Sequence, residues 1–369
     1  MVELRQAKRC TAASDTLLSS FYRVLLYVLG ALVAVGSASA CQICVPLPTQ
    51  TLADRLLESD AVVRAREDPQ RPYHYAAVDI LKGNPRSVAI DMFINTRVRR
   101  YLTANPASAM LLARNSKDGE WRTLGLTHGD FERVVRRILS FEGLWIPKET
   151  DNLKRLREMA PLLGNQDTRL HELAFLEIGR ASYGSIKLIS ANVSLERVRA
   201  MLSDPRYIEW RGLDILLLGL SNAQQDRARV IHEIEDRRRR SNALNLDAWA
   251  TAYVEVSGVA GIDQLADWYF RDASRSRDEL RNIVRALSVH AANDAGLRES
   301  VVAAYKDLLD YHPLAGPDIA RDLIAWQQWD LSEQMRILQP QVAESDPLGA
   351  YAIKLYLQRA ASRNHPMKK

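Results

Sequence analysis

The spacing of apolar residues changes once along the chain, close to His128, and this change limits the accessible folds more than any other feature. Before it, short segments alternate or run apolar between Pro, Gly, Asn and Asp, which is typical of strands. After it, apolar residues recur with helical spacing, as at Phe131, Val134 and Ile138. The pattern predicts an α+β protein with a β region first and an all-α region after it.

The β region extends from Ser59 to Leu126 and contains five candidate strands. They read DAVVRARE, YHYAAVDILKG, SVAIDMFIN, AMLLAR and EWRTLGL. Asp118-Gly119 between the last two predicts a hairpin, because Asp-Gly supports the turns that match strand twist. Short antiparallel strands in this number suit a small closed barrel, which hides its sheet edges. The preceding segment TLADRLLES has helical spacing and should pack across the barrel.

The α region begins with a helix behind the N-cap candidate Asp130. The segments that continue it are LHELAFLEIGRA, SLERVRAML, EWRGLDILLLGL, RARVIHEIEDRRRR, LDAWATAYVEVSG, IDQLADWYF, RDELRNIVRALSVHA, LRESVVAAYKDLLDY, GPDIARDLIAWQQ and DPLGAYAIKLYLQRA. Helices of similar length without intervening strands favour stacked paired-helix repeats, although no strict sequence period is present. A compact helical bundle is the alternative.

The first forty residues have the features of a secretory signal peptide. Basic residues precede the thirteen uncharged residues VLLYVLGALVAVG, and small residues follow, with Ala38 and Ala40 at the positions that a signal peptidase reads. Thirteen residues are fewer than the roughly 20 that a membrane-spanning helix needs. We therefore expect export to the periplasm or secretion, with Cys41 as the first mature residue and no transmembrane span in the mature chain.

Cys41 and Cys44 form the one C-x-x-C pair of the sequence. Exported proteins retain disulfides, so the two thiols are a candidate disulfide. A zinc or copper(I) site built from the Cys41 amine and both thiolates is a weaker alternative, and no other cofactor is expected. Residues 38–41 also match a permissive lipobox, in which case Cys41 would be acylated and the protein would be an outer-membrane lipoprotein.

The predicted organisation is a signal peptide over residues 1–40, a barrel over 41–127, helical repeats over 128–365 and a disordered tail over 366–369. The formal net charge of +5 is too small and too dispersed for a nucleic-acid-binding protein. The basic run Arg237–Arg240 ends a helical segment and predicts a solvated helix end.

Residues with catalytic or metal-binding chemistry are scattered. His171-Glu172 resembles the start of a zinc-protease helix, but Phe175 occupies the position of the second histidine. A surface or capping role is the simpler interpretation of His171. Tryptophans in the helical segments are expected as core wedges, with a sugar-binding groove as the less favoured alternative. They are Trp145, Trp210, Trp249, Trp268, Trp326 and Trp329. No catalytic residues are predicted.

The segment CQICVPLPTQT, followed by SDAVVRA from Ser59, resembles the mature amino terminus of the tissue inhibitors of metalloproteinases and the netrin-like domain that they share with exported bacterial proteins. The resemblance extends from about Cys41 to Leu126 and implies a barrel of the oligonucleotide/oligosaccharide-binding type. The helical region resembles degenerate HEAT-type repeats, most clearly in ERVRAMLSDPRYIEWRGLDILLLGLSN.

Carried over residue by residue, the resemblance implies that Cys41 would bind a target enzyme's zinc through its amine and carbonyl. Gln42, Val45 and Pro46 would complete the inhibitory ridge. The sequence departs from the family because two residues separate the cysteines and no cysteine follows Cys44 to pin the ridge to the barrel.

These observations predict an exported, non-enzymatic scaffold that binds a protein partner. The alternative is a metalloprotease inhibitor acting through Cys41. A further alternative is an envelope enzyme with its site at the junction of the two regions, since active sites often form between domains.

Overall fold

The computed structural model describes residues 50–84, 90–115, 117 and 119–364. It confirms the α+β class, with a small antiparallel sheet followed by helices. The strands are β1 Ala61–Asp68, β2 Arg71–Lys82, β3 Ala109–Arg114 and β4 Trp121–Thr127. The helices are α1 Leu52–Glu58, α2 Thr96–Ala104, α3 Gly129–Leu139, α4 Leu153–Met159, α5 Thr168–Gly179, α6 Tyr183–Ile189, α7 Leu195–Ser203, α8 Arg211–Gly219, α9 Gln224–Arg240, α10 Leu246–Ser257, α11 Val259–Leu265, α12 Arg277–Asn293, α13 Ala295–Tyr311, α14 Gly316–Trp326, α15 Ser332–Ser345 and α16 Pro347–Asn364.

The sheet is open, with strand order β2-β1-β3-β4 and every neighbouring pair antiparallel. β2 and β4 are its outer strands, and closure into a barrel remains a prediction. Glycine is required where β2 ends, because Gly83 has φ +75° and a Cβ there would lie 2.2 Å from the Asp60 carbonyl oxygen. β3 and β4 form the predicted hairpin, while Asp118 in its turn lies outside the described residues.

Both faces of the sheet are covered. Val62 and Leu111 on one face belong to a long hydrophobic core that continues through the helices as far as Tyr356. Val63 and Leu112 on the other face form a smaller core with Ile90 and Ile94. The sheet and the helices therefore share a core, and their division into separate domains near residue 127 remains a prediction.

The third predicted strand, SVAIDMFIN, is wrong over its described part, residues 90–95. The segment makes a single bridge, from Phe93 to His74, and backbone hydrogen bonds at Met92 and Ile94. Its two buried isoleucines fill the smaller core, and the Asn95 side chain then accepts the Val98 N–H to begin α2. A capped helix thus follows at once and prevents extension of the strand.

The predicted helical segments all form, with corrections at their ends. The N-cap of α3 is His128, so the prediction of Asp130 is wrong; Asp130 lies in the first turn, where it pairs with Arg133. The basic run is solvated only at Arg239 and Arg240, because Arg237 and Arg238 lie half-buried over the rings of Trp249 and Trp268. Arginine guanidinium groups favour such stacking on aromatic faces.

Alternate helices pack on one another along the second half of the chain. α8 packs on α10, α10 on α12, α12 on α14 and α14 on α16. Within the described residues, no helix is both long enough and apolar enough to span a bilayer.

Candidate binding groove beside the outer edge of the sheet

Four charged side chains lie buried where the sheet region meets the first helices. Asp54 is in α1, Arg155 in α4, Glu177 in α5 and Arg180 directly after α5. Their relative exposures are 0%, 1%, 1% and 6%. Two acids and two bases thus occupy one dry site, which we call the buried charge cluster.

The two carboxylates of the cluster are bridged by the two guanidinium groups. Arg155 Nη2 donates to Asp54 Oδ1 at 2.8 Å and to Glu177 Oε1 at 2.7 Å. Arg180 donates to both oxygens of Asp54 and, at 3.1 Å, to Glu177 Oε2. The Thr51 hydroxyl also donates to Glu177, and the Lys148 N–H donates to Asp54 at 2.9 Å. Mutual pairing and extra donors offset the cost of burying these charges.

The protonation of Asp54 is set by competing effects. Burial alone would raise the pKa of this carboxyl, but hydrogen bonds from Arg180, the Lys148 backbone and Arg155 lower the pKa far below its usual range. The same contacts with Asp54 and Glu177 raise the pKa of Arg180 against the effect of its burial. Asp54 and Arg180 therefore stay ionised at neutral pH and pair with each other.

Local sequence places the Asp54 carboxylate at the start of α1. Thr51 and Asp54 form a capping box, in which the Thr51 hydroxyl accepts the Asp54 N–H and the Asp54 carboxylate accepts the Thr51 N–H. Sequence analysis did not single out any member of the cluster. The available signal was a charge at an apolar position of a helical pattern, as for Asp54 between Ala53 and Leu56.

Beside this cluster lies β4, whose one strand partner among the described residues is β3. Thr123 pairs with Leu112 and Gly125 with Leu111, so Leu124 is an extra residue that forms a β-bulge. Bulges at sheet edges re-aim a side chain, and Leu124 packs against the long core. The edge of β4 is thus bent toward the helices.

A cavity of about 280 Å³ opens between this edge, α1 and α5. Its apolar lining includes Leu124, Phe131, Leu173 and Leu176, and its polar lining includes Gln50, Arg55, Arg169 and Glu172. An apolar pocket with a few convergent polar groups is the usual form of a binding site.

A second, more open depression of about 600 Å³ adjoins the cavity at Arg169. It is lined by Tyr101, Leu126, His128, Gln166, Asp167, Thr168 and Arg169. Arg169 donates to the Leu126 carbonyl of β4 and to Asp167, and it lies 4.4 Å from the centre of the Phe131 ring. We call the cavity and the depression together the edge groove.

The titratable groups of the edge groove suit binding. The hydrogen bond from Arg169 lowers the pKa of Asp167, against the effect of burial, so this carboxylate stays ionised as an acceptor. Arg55 and Glu172 add one charge of each sign beside apolar walls. The groove can therefore hold an apolar side chain while pairing polar groups at its rim.

The residues singled out in the sequence for cleavage, disulfide or metal binding and inhibition all lie outside the described residues. They are Ala38, Ala40, Cys41, Gln42, Cys44, Val45 and Pro46. Their roles remain predictions, as do the zinc or copper site, the acylation of Cys41 and the tail over 366–369. Within the described residues, no group of three or more His, Cys, Asp or Glu side chains is placed to hold a metal ion.

A surface or capping role was expected for His171, and the surface alternative is wrong because the side chain is buried. Its Nδ1 accepts the Gly164 N–H at 3.0 Å, and its ring lies among those of Phe175, Tyr207 and Trp210. Trp145 and Trp249 are buried, and the other four predicted core tryptophans are half-buried against the long core. These contacts agree with a packing role for the tryptophans.

Comparison of the chain with protein-family models, curated proteins and solved structures finds no match.

Proposed function

We propose that this is an exported, non-enzymatic scaffold that binds an extended segment of a partner protein along the edge groove. The observation that carries the proposal is the outer edge of β4, which within the described residues pairs with β3 alone, beside a cavity lined by both apolar and charged groups. In strand addition, main-chain hydrogen bonds give affinity and adjacent pockets give side-chain specificity. An apolar side chain of the partner would enter between Leu124 and Leu176.

The buried charge cluster supports this proposal by fixing the walls of the edge groove. Thr51 donates to Glu177 of the cluster and also lines the cavity, and Glu177 follows Leu176 in α5. A pre-organised site loses less conformational freedom on binding and therefore binds more tightly.

The finer architecture is also part of the proposal. The smaller core beneath Val63 and Leu112 is what the interior of a partly opened netrin-like barrel would contain. The row of alternate helices from α8 to α16 is consistent with degenerate HEAT-type repeats, which give extended surfaces for protein partners.

The proposed cellular location rests on the predicted signal peptide alone. We infer cleavage after Ala40 and a periplasmic or secreted product, with Cys41 either disulfide-bonded to Cys44 or acylated. Intact-mass measurement of the exported chain separates these states, because a disulfide removes two hydrogens and acylation adds lipid.

The edge groove is tested by selecting peptides from a random displayed library on the exported chain. Leu176→Trp fills the cavity. We expect it to lower the affinity for the enriched peptides at least tenfold, which corresponds to about 1.4 kcal/mol. Leu188→Trp is the matched control, since Leu188 is an exposed leucine on α6. Hydrogen exchange should show slower exchange of β4 amides when peptide is bound.

Equal binding to both variants, or protection of amides only outside β4, would contradict the proposal. So would a library that yields no enriched peptide.

A further inference from the structure

The outer face of the last helix, α16, is apolar over its first half. Leu348, Tyr351 and Leu355 are 87%, 65% and 36% exposed, and their spacing places them on one stripe. The opposite face is fixed, because Ile353 and Tyr356 are buried in the long core. Large exposed apolar residues that lie contiguously on one face indicate a contact surface.

The charge along this helix and the residues that follow it has one sign. Residues 347–369 contain Lys354, Arg359, Arg363, Lys368 and Lys369 and no Asp or Glu. The three of these bases that lie in α16 are exposed. The preceding acid, Asp346, is engaged by Arg277 at 3.4 Å and by the Gly349 N–H.

This charge argues against a symmetric contact between two copies. A two-fold contact places the same patch of each copy against the other. Two such helices would bring cations together without an acid on either helix to neutralise them, and like charges across an interface are unfavourable. An apolar stripe flanked by cations is complemented by a surface whose outer layer is anionic and whose interior is apolar.

We propose that α16 docks on the surface of an anionic phospholipid bilayer. Leu348, Tyr351 and Leu355 would enter the boundary between headgroups and acyl chains, and Lys354, Arg359 and Arg363 would contact lipid phosphates. Amphipathic helices with basic flanks bind membranes in this way, and tyrosine suits the interface because one end is apolar and the other polar. The contact would hold the helical end of the scaffold at a membrane independently of the edge groove.

The test measures cosedimentation of the full chain with vesicles of phosphatidylglycerol and phosphatidylcholine, and with vesicles of phosphatidylcholine alone. Because residues 1–40 carry their own apolar segment, every comparison is between variants that share it. Leu348→Ser/Tyr351→Ser/Leu355→Ser and, separately, Lys354→Glu/Arg359→Glu should each reduce binding to the anionic vesicles at least tenfold. Leu188→Ser is the matched exposed-leucine control and should leave binding unchanged.

A second measurement locates the contact. Spin-labelled lipid in anionic nanodiscs should broaden the methyl resonances of Leu348 and Leu355 and leave those of Leu188 sharp. Binding of the triple serine variant to anionic vesicles as strong as that of the wild type, loss of binding with Leu188→Ser, or unbroadened α16 methyls would overturn the proposal. Dimerisation abolished by the triple serine variant, without lipid binding, would assign the stripe to a second copy instead.

Discussion

The buried charge cluster differs from the surface ion pairs of the described residues because its members have almost no access to water. Arg137 and Glu158, for comparison, pair at 2.8 Å on the surface, with side chains 59% and 36% exposed. In water such a pair contributes little, because solvent screens it and both side chains lose freedom. A buried charge that loses its partner cannot be solvated by water instead. Removing one partner of a buried pair therefore lowers the free energy of unfolding strongly.

Asp54→Asn should therefore destabilise the protein by about 3–5 kcal/mol, because it leaves Arg155 and Arg180 against a single carboxylate. Chemical denaturation at neutral pH measures the effect as a shift of the unfolding midpoint. The control is Glu158→Gln, which should cost less than about 1 kcal/mol. Similar losses for the two variants would show that the cluster is no more important than a surface pair.

His171 should make stability depend on pH. Burial lowers its pKa to about 4, from 6.5 in the unfolded chain. Between these values the unfolded chain binds a proton that the folded chain does not. The contribution of neutral, buried His171 to the free energy of unfolding is therefore full above pH 6.5 and is lost as the pH falls toward 4. The loss amounts to about 3 kcal/mol.

The measurement compares unfolding free energies of the wild type and His171→Phe from pH 7 to pH 4. In the variant, the part of the pH dependence of the unfolding free energy that His171 causes should disappear. The variant is also less stable at every pH, because the Gly164 N–H has lost its acceptor. His290, which is also buried with a lowered pKa, titrates in both proteins and cancels in the difference. Parallel profiles for wild type and His171→Phe would refute the assignment.

At the scale of elements, the periodicity of apolar residues predicted the position of the long helices and of the strands. The long helices were located because each buries one stripe, and β1 to β4 were located by alternation and turn residues. α4 and α6, of seven residues each, were missed, whereas α1 of the same length was located, because a helix this short gives the pattern barely one repeat. α15 was missed because Pro340 interrupts its pattern.

The edge groove could not be predicted, because it depends on partners that are distant in sequence. The bulge at Leu124 is defined only by the register of β4 on β3, and Arg155 meets Asp54 across the junction. Local sequence contains the capping box that positions Asp54 but not the two guanidinium groups that hold it. Periodicity identifies faces, whereas a site is formed by the way those faces meet.

At the scale of the whole molecule, the decisive arrangement is the row of alternate helices from α8 to α16. In a stacked array each unit touches its neighbours, so stability is a sum of local terms and an end can open alone. In a compact bundle the helices surround one centre, and loss of one core contact weakens them together. The stacked array and the compact bundle therefore differ in how far a local loss of stability extends through the helices.

Ile353→Ala in α16 separates these alternatives. Ile353 is fully buried, so the change should cost about 2–5 kcal/mol through lost contacts and a cavity. If the helices form an array, hydrogen exchange should accelerate in α14, α15 and α16, while α4, α5 and the strands keep wild-type rates. Ile215→Ala, an equally buried isoleucine in α8, should accelerate exchange near the middle of the row instead. Uniform acceleration from α3 to α16 in both variants would favour the bundle, because a defect would then be shared by every helix whatever its position in the chain.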